Sequence, residues 1–530
     1  MSAFARNISP KLEEFNPAIK QPIIRGDKFV EKKIIIIGAG IAGLSAGCYA
    51  RMNGYETEIY EMHDKPGGLC TSWQRNGYII DGCLHWLTGS SPVSSFHKFW
   101  MELGAIQGRS MLYQKQFYRY TGTNGRTLII YNNANQLEAH LKEISPQDSP
   151  TIELLCRLIR RFSKFNIPVD KPYELYNFFD IIRLLFKLAP FYRDMSFCNS
   201  ITIGEFARRF KDPLLREVFP IILSNEDYPL LSLVVTLGSL HAGDGGFPQG
   251  GSLEFARAIE RRYLDLGGKI FYRSRVDRIL EEEGSATGIH LTDGRVIKGD
   301  YIISAADLRT TLFEMLGGRH IDPKHNELFQ SCKLCPSMVQ VSFGVNMDLS
   351  NQPECIGELF PAPFLKEWKA DWALIRNYCF DKTLAPPDKS VVVAGFSTAD
   401  YAYWEKLAAD KQSYQAEKEK IAAAFAEELE RRYPGFKSAI EVTDVFTPVT
   451  YARYTGNWKG TFMTWIIPPN RAKQFQIIPK KVPGLDNFWL SGMWVQPPGG
   501  VPTGVMTSRQ IIQMICRRDK RRFQTSIPQG

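Results

Sequence analysis

Three glycines near the start of the chain have the spacing of a phosphate-binding turn. Gly38, Gly40 and Gly43 form the pattern G-x-G-x-x-G within IIIIGAGIAGLSAG. In such a turn the first glycine allows the bend, the second lets the backbone approach a pyrophosphate, and the third lets helix and strand pack closely. The N-terminus of the next helix, which begins near Ile41 and Ala42, would direct its free N–H groups at the phosphates.

An acidic residue follows this turn at a distance suited to a ribose. The segment ETEIYE predicts a second strand that ends at Glu61, and the Glu61 carboxylate could accept hydrogen bonds from a ribose diol. The glycine pattern alone also occurs in other α/β proteins. The full order of strand, glycines, helix, strand and acid is much more specific, and it predicts a dinucleotide-binding site.

The elements that must position these residues can be predicted from the apolar patterns. Ile34 to Ile37 indicate a central parallel strand that is apolar on both faces. Further along we expect a helix over residues 252–266, a strand near Ile270, a hairpin that turns at Asp293 and Gly294, and a buried strand in YIISAAD. Near the end, NFWL predicts a strand that stops at Gly492, and a helix is expected from about Thr503.

A second glycine pair indicates which dinucleotide is bound. Gly67 and Gly68 follow Glu61 closely, and GYIIDGCLHWL then begins a new strand and loop. This arrangement resembles the second fingerprint of the glutathione-reductase-like flavoproteins that bind FAD. Leu69 occupies the position where those proteins usually have an arginine, which removes one phosphate contact but keeps the backbone cradle.

Taken together, these segments resemble the bacterial-type phytoene desaturases and their relatives, the carotenoid isomerases and retinol saturases, within the flavin-containing amine oxidase superfamily. The resemblance covers nearly all of residues 31–515 and is strongest at the glycine-rich N-terminal segment, at GGFPQGGSLEFARAI with RVDRI, and at GMWVQPPGGVPTGVMTSRQI. It implies an α/β fold in which a glutathione-reductase-like, FAD-binding Rossmann domain carries an inserted α+β substrate domain, with FAD held noncovalently.

The resemblance also implies roles for particular residues. The first three glycines would meet the pyrophosphate, Glu61 the adenosine ribose, and Val276 the adenine. Gly492 and Met493 would lie at the phosphates, and Val501 at the isoalloxazine edge. The complete predicted cofactor-binding set is Gly38, Gly40, Ile41, Ala42, Gly43, Glu61, Met62, Gly67, Gly68, Leu69, Val276, Gly492, Met493, Gly500 and Val501.

Other reactive side chains give weaker signals. His85 and His241 lie beside these motifs and could line a flavin site or be structural. The eight histidines show no metal spacing, and Cys332 and Cys335 form a single C-x-x-C, which favours two half-buried thiols. We expect no metal site, and the sequence identifies no catalytic acid or base.

A chain of 530 residues is too long for one ordinary core, so we expect two or three domains. The predicted divisions are a polar N-terminal extension (1–30), a discontinuous FAD-binding domain (31–110, 241–310 and 481–516), a substrate domain that could also face a membrane (111–240 and 311–480), and a basic tail (517–530). No signal peptide and no transmembrane segment is expected.

The segment from 173 to 195, YELYNFFDIIRLLFKLAPFYRDM, predicts a helix with one narrow polar stripe. Such a helix is either buried in the substrate domain or lies in a bilayer interface. The net charge of +9 and the tail RRDKRR slightly favour anionic surfaces, whereas no motif for nucleic acid is present. We therefore expect a cytoplasmic protein, either free or attached peripherally to a membrane.

The predicted function is FAD-dependent oxidoreduction at C–C bonds of a hydrophobic polyene or isoprenoid, as desaturase, saturase or isomerase. A flavin-dependent amine oxidase is the alternative, and a non-enzymatic flavin or lipid carrier is a third. Because no second dinucleotide fingerprint is present, we expect the flavin to exchange electrons with a diffusible partner, which could be a quinone, oxygen or transiently bound NAD(P)H.

Overall fold

The computed structural model describes residues 32–529, except 361–364, 366, 367, 369 and 472–477. The predicted N-terminal extension, residues 1–30, lies outside the described residues. The strands, in chain order, are β1 (Lys33–Ile37), β2 (Glu56–Tyr60), β3 (Ser72–Arg75), β4 (Tyr78–Asp81), β5 (Met111–Leu112), β6 (Gln116–Thr121), β7 (Thr127–Tyr131), β8 (Phe247–Pro248), β9 (Lys269–Phe271), β10 (Val276–Glu282), β11 (Ser285–Leu291), β12 (Val296–Lys298), β13 (Tyr301–Ser304), β14 (Lys333–Leu334), β15 (Ser337–Val345), β16 (Cys355–Leu359), β17 (Trp372–Asn377), β18 (Ser390–Thr398), β19 (Ile440–Phe446), β20 (Trp465–Ile466) and β21 (Phe488–Leu490).

The α-helices are α1 (Ile41–Met52), α2 (His97–Glu102), α3 (Ala134–Ile144), α4 (Ser149–Phe162), α5 (Phe178–Leu188), α6 (Tyr192–Ser200), α7 (Ile203–Ala207), α8 (Pro213–Val218), α9 (Leu230–His241), α10 (Gly251–Asp265), α11 (Pro323–Ser331), α12 (Tyr401–Ala408), α13 (Lys411–Arg432), α14 (Phe436–Ala439), α15 (Pro448–Thr455) and α16 (Val501–Arg518). Among the described residues, no helix combines the length and apolar character needed to cross a bilayer.

A five-stranded parallel sheet forms the first layer, in the order β21-β13-β1-β2-β9. β1 is its central strand, and Ile34, Ile35 and Ile36 are fully buried because both faces of the sheet are covered. On one face α1 packs against α10 and α16. The predicted strands at Ile34–Ile37, near Ile270 and in YIISAAD are therefore confirmed, as is the hairpin between β11 and β12.

A seven-stranded sheet forms the second layer, in the order β19-β15-β18-β17-β16-β6-β7. Its neighbours are antiparallel except β16 and β6, which run parallel. One face packs against the long helix α13 through an apolar cluster that includes Val341, Phe396 and Phe425. Helices α3, α4 and α9 surround a further core beside β6 and β7.

Two predicted helices begin earlier than expected. The helix expected over 252–266 runs from Gly251 to Asp265, and the one expected from about Thr503 begins at Val501. The second difference has a simple cause, because Pro502 occupies the first turn, where its missing N–H is not needed.

The segment 173–195 is not one helix. Residues Tyr173–Leu175 form a short 3-10 turn, α5 is limited to Phe178–Leu188, and a second 3-10 turn at Ala189–Phe191 leads into α6. Asn177 begins α5, because its side chain accepts the Asp180 N–H and the Asp180 carboxylate accepts the Asn177 N–H. No residue of α5 is buried, so the alternative of a buried helix is wrong.

The predicted basic tail, residues 517–530, makes contacts with other parts of the protein. Arg517 and Arg518 still belong to α16. Beyond them Asp519 accepts hydrogen bonds from Lys32, Tyr55 and Tyr301. Arg521 lies over the ring of Tyr55 and donates to the carbonyls of Asn53 and Gly54. Part of the positive charge of this segment is therefore used in contacts within the protein.

Candidate active site

A cavity of about 880 Å³ opens where the strands of the parallel sheet end. We call the part lined by residues that follow β1, β2, β13 and β21 the dinucleotide half. It includes the segments Gly40–Ala42, Tyr60–Met62, Gly67–Cys70, Arg275–Asp277, Ala305–Asp307, Ser491–Trp494 and Pro498–Gly504. We call the part lined by the seven-stranded sheet and α9 the sheet half. It is lined by the seven-stranded sheet and by α9 through Tyr118, Ser232, Val235, Thr236, Met338, Gln340, Leu374, Arg376, Val393, Ala394 and Gly395.

The glycine turn after β1 leaves the N-terminus of α1 directed at the cavity. Gly40 precedes the helix and no side chain caps it, so the first N–H groups of α1 are available to an anion. Gly43 is the predicted cofactor residue that does not line the cavity. A Cβ on Gly43 would lie 1.8 Å from the carbonyl oxygen of Gly38, so this glycine permits the close packing of helix and turn.

Glu61 lies at the end of β2 with its side chain beside this turn. Its Oε2 accepts the Ala39 N–H at 2.6 Å, and its Oε1 accepts the His63 N–H at 2.8 Å. Each carboxylate oxygen has two acceptor positions, so one remains on each oxygen. Because Glu61 lines the cavity, these remaining positions fit the two hydroxyls of a ribose diol.

The second glycine pair closes the same end of the cavity. The Gly67 N–H donates to the Ala39 carbonyl at 2.9 Å, and Gly67 forms an isolated bridge with Gly40. The backbone of Gly68 and Leu69 therefore lines the cavity directly beside the first turn. Without an arginine at Leu69, backbone N–H groups remain as the available phosphate ligands here.

The C-terminal segment adds a second helix N-terminus. The Gly492 N–H donates to Thr507 Oγ1 at 3.0 Å, which fixes Gly492 and Met493 against α16. Gly500 precedes α16, no side chain caps it, and Val501 lines the cavity. Two helix N-termini, one acidic side chain and glycine-lined walls make a set of donors and acceptors that fits FAD.

Arg376 is a site residue that the sequence did not reveal. It projects from β17 into the sheet half and is 7% exposed. Its Nη2 donates to Tyr118 Oη at 2.6 Å, and its guanidinium lies 5.4 Å from the centre of the Tyr118 ring. Within the described part of the chain, no carboxylate forms an ion pair with it.

The neighbours of Arg376 are neutral at physiological pH. Burial raises the pKa of the Tyr118 phenol, and burial raises the pKa of the Cys355 thiol to about 11. Burial and, secondarily, the charge of Arg376 lower the pKa of His85 well below its usual value. His85 therefore lines the cavity as a neutral imidazole. His241 lies elsewhere, where its Nδ1 accepts the Ala134 N–H at 3.3 Å.

All acidic residues of the cavity lining lie outside the sheet half. They are Glu61, Asp277, Asp307 and Glu314. Asp307 accepts the N–H groups of Thr310 and Trp458, and burial raises its pKa to about 6. The sheet half instead combines apolar and neutral polar side chains with one buried cation, Arg376.

Comparison with known proteins agrees with this architecture. The family model described as flavin containing amine oxidoreductase matches residues 41–512, and the chain belongs to that family. The predicted resemblance and the predicted Rossmann-type FAD-binding fold with a substrate domain are thereby confirmed. The protein is an FAD-dependent oxidoreductase.

The individual relatives share about a quarter of their residues with this chain. The chain is 25% identical to phytoene desaturase (lycopene-forming) of Pseudescherichia vulneris, over 92% of this chain and 99% of that protein. It is 26% identical to the chloroplastic prolycopene isomerase of Arabidopsis thaliana, over 92% of this chain and 84% of that protein. The solved cyclohexylamine oxidase of Brevibacterium oxydans shares the fold, with a TM-score of 0.60 and 15% identity over 93% of this chain and 100% of the other.

Proposed function

We propose that the protein acts on C–C bonds of a hydrophobic polyene or isoprenoid, as a desaturase, saturase or isomerase. The observation that carries this proposal is the cavity, whose lining is mainly apolar and whose sheet half contains no carboxylate. A long apolar molecule needs such a slot, since its binding depends on burial of its surface. The names of the two relatives above support the same substrate class.

FAD supplies hydride transfer at its flavin ring when it is bound. In our proposal, the turn from Gly38 to Ala42 and the pair Gly67 and Gly68 hold the pyrophosphate, and Glu61 and Met62 lie at the adenosine ribose. Val276 lies at the adenine, Gly492 and Met493 at the phosphates, and Gly500 and Val501 at the isoalloxazine edge. The chain then orients a substrate carbon against the ring and excludes water from it.

A flavin-dependent amine oxidase is the second candidate, and the fold shared with cyclohexylamine oxidase favours it. Two features of the sheet half oppose it. An ammonium group would find no carboxylate there, and it would be repelled by the buried charge of Arg376. We therefore favour the polyene.

Anaerobic mixing separates the two candidates. Oxidised, FAD-loaded protein should lose its flavin absorbance with a polyene or isoprenoid that can be desaturated. If the protein instead saturates or isomerises its substrate, chemically reduced protein should convert the polyene. Loss of absorbance with simple amines and release of ammonia, without conversion of any polyene in either flavin state, would establish the amine oxidase.

We further propose that α5 attaches the protein to a membrane surface. Phe178, Phe179 and Phe186 on this helix are 69%, 77% and 78% exposed. Ile167, in the segment between α4 and α5, lines the cavity and is 38% exposed. We infer that the cavity opens to the surface beside this residue, near α5. A water-insoluble substrate could enter from the bilayer along that path.

A further inference from the structure

Arg376 is a buried charge without a counter-charge. Taking a guanidinium out of water costs several kcal/mol unless an acid and further hydrogen bonds compensate. The described residues supply one hydrogen bond, from Arg376 to the neutral Tyr118 hydroxyl, and no acid. The remaining donors of this side chain belong to a residue that lines the cavity.

The surroundings of Arg376 also exclude a counter-charge from the protein at neutral pH. Cys355, directly opposite on β16, is a thiol whose pKa is raised by burial to about 11. The pKa of the Tyr378 phenol is raised by burial as well. His85 is a neutral imidazole, and Gln340 carries no charge. The missing anion must therefore come from a molecule in the cavity.

We propose that the substrate is an amphiphile, a polyene or isoprenoid with a carboxylate at one end, and that Arg376 binds this carboxylate. The inference rests on the proposed function, whose substrate class it narrows. A guanidinium presents parallel N–H groups that match the two oxygens of a carboxylate. The Tyr118 hydroxyl occupies one donor of Nη2 and thereby fixes the orientation of the fork.

The electron-rich edge of the flavin is another source of an acceptor for Arg376. We favour the substrate, because Arg376 projects from the seven-stranded sheet, whereas the predicted cofactor residues all lie in the dinucleotide half or the glycine turn. A pure hydrocarbon would leave the guanidinium unpaired in an apolar slot, which is unfavourable for binding.

Retinoate and its methyl ester form a matched pair of probes, since they share one polyene and differ in the charge at the end. Each is titrated into the FAD-loaded full chain, and binding is followed by quenching of tryptophan fluorescence. The wild type should bind retinoate at least about tenfold more tightly than the ester, which corresponds to about 1.4 kcal/mol. Arg376→Met should abolish this preference, and Arg376→Lys should retain part of it.

Two further variants keep the test independent of folding. Tyr118→Phe retains the guanidinium but removes its partner, so it should reduce the preference without abolishing it. Leu374→Met changes a neighbouring apolar residue on the same strand and should affect both ligands equally. FAD content and melting temperature verify that each variant is folded.

Equal affinity for acid and ester in the wild type would overturn the inference while the polyene function stands. A preference that persists in Arg376→Met would overturn it too. A change of flavin potential in Arg376→Met with an unchanged ligand preference would assign the arginine to the cofactor instead. Failure of both retinoids to bind, together with no conversion of any polyene, would reject both this inference and the proposed function.

Discussion

Glu61 Oε2 accepts the Ala39 N–H at 2.6 Å, so the acid at the end of β2 is bonded to the turn that follows β1. Its Oε1 accepts the His63 N–H at 2.8 Å. One side chain that lines the cavity thus connects two segments of the cavity wall and retains further acceptor capacity. This geometry couples the shape of the glycine turn to the proposed binding of the ribose.

Glu61→Ala should therefore weaken FAD binding and also lower the melting temperature. Loss of hydrogen bonds to a charged acceptor amounts to about 1.5–3 kcal/mol, or about 10- to 150-fold in affinity. Glu61→Gln keeps one acceptor oxygen and should have a smaller effect. Both are measured by equilibrium dialysis of FAD and by thermal unfolding.

Glu58→Gln is the matched control, because Glu58 lies on the same strand but is bonded to Lys33 and Tyr60. It should leave FAD affinity unchanged. Unchanged FAD affinity in Glu61→Ala would refute the ribose assignment.

The first half of the site could be predicted because its signals are local. The isoleucines of β1, the glycines after it and Glu61 lie within one βαβ unit, where spacing alone determines which groups meet. Arg376 gave no such signal. In WALIRNYCF it is one polar residue in a strand pattern, and its importance depends on neighbours from β6 and β16 that are distant in sequence.

The roles of the two histidines and of α5 also depend on residues that are distant in sequence. His85 and His241 both lie beside recognisable motifs, and only the tertiary arrangement separates the one in the cavity from the one at the start of α3. The apolar pattern of α5 predicted a helix with a wide apolar face. Whether other parts of the protein cover that face, or leave it exposed to water or a bilayer, depends on the packing of segments distant in sequence.

The exposed face of α5 should bind the full-length protein to phospholipid vesicles. Phe178 and Leu185 are 69% and 62% exposed, and each apolar side chain buried in a bilayer contributes about 1.5–3 kcal/mol. Phe178→Asp with Leu185→Asp should therefore reduce co-flotation with vesicles strongly, and moderate salt should not. Leu264→Asp changes a residue of α10 that is 46% exposed and should have no effect. A wild type that stays wholly unbound would refute the membrane proposal.

The electron partner should be diffusible. The sequence has one dinucleotide fingerprint, and we propose that FAD occupies it. Titration of FAD-loaded protein with NADH or NADPH should give no stoichiometric complex, whereas quinones or oxygen should reoxidise the reduced flavin. Isothermal titration and stopped-flow absorbance measure the two parts. A tight one-to-one nicotinamide complex would contradict the expectation.

Asp81 should make stability depend on pH. It ends β4, just before the loop Gly82–Thr88 that lines the cavity, and it accepts the Ser252 N–H and hydroxyl at 2.6 and 2.7 Å. Burial raises its pKa to about 6, against hydrogen bonds that lower it. Between about pH 4 and 6 the folded chain therefore holds a proton that the unfolded chain releases, so this group's contribution to stability falls as pH rises through that range.

Asp81→Asn removes this titration. Between about pH 4 and 6 the Asp81 carboxyl lowers the stability of the wild type as pH rises, whereas the variant has no such titration. The free energy of unfolding of the variant minus that of the wild type should therefore rise with pH across that window, by at most about 3 kcal/mol. Above about pH 6 this difference should stay constant. Melting temperatures at pH 4.5, 5.5, 6.5 and 7.5 measure this trend. The size of this difference at any one pH also includes the effect of replacing a carboxylate oxygen with an amide nitrogen. The test is therefore how the difference changes with pH. Asp348→Asn is the control, since hydrogen bonds from Ser350 lower the pKa of that exposed carboxyl. The pH range over which Asp348 affects stability therefore lies below about pH 3.8. Its difference should be flat over the same series, and a flat series for Asp81→Asn as well would show that Asp81 is not protonated in the folded state.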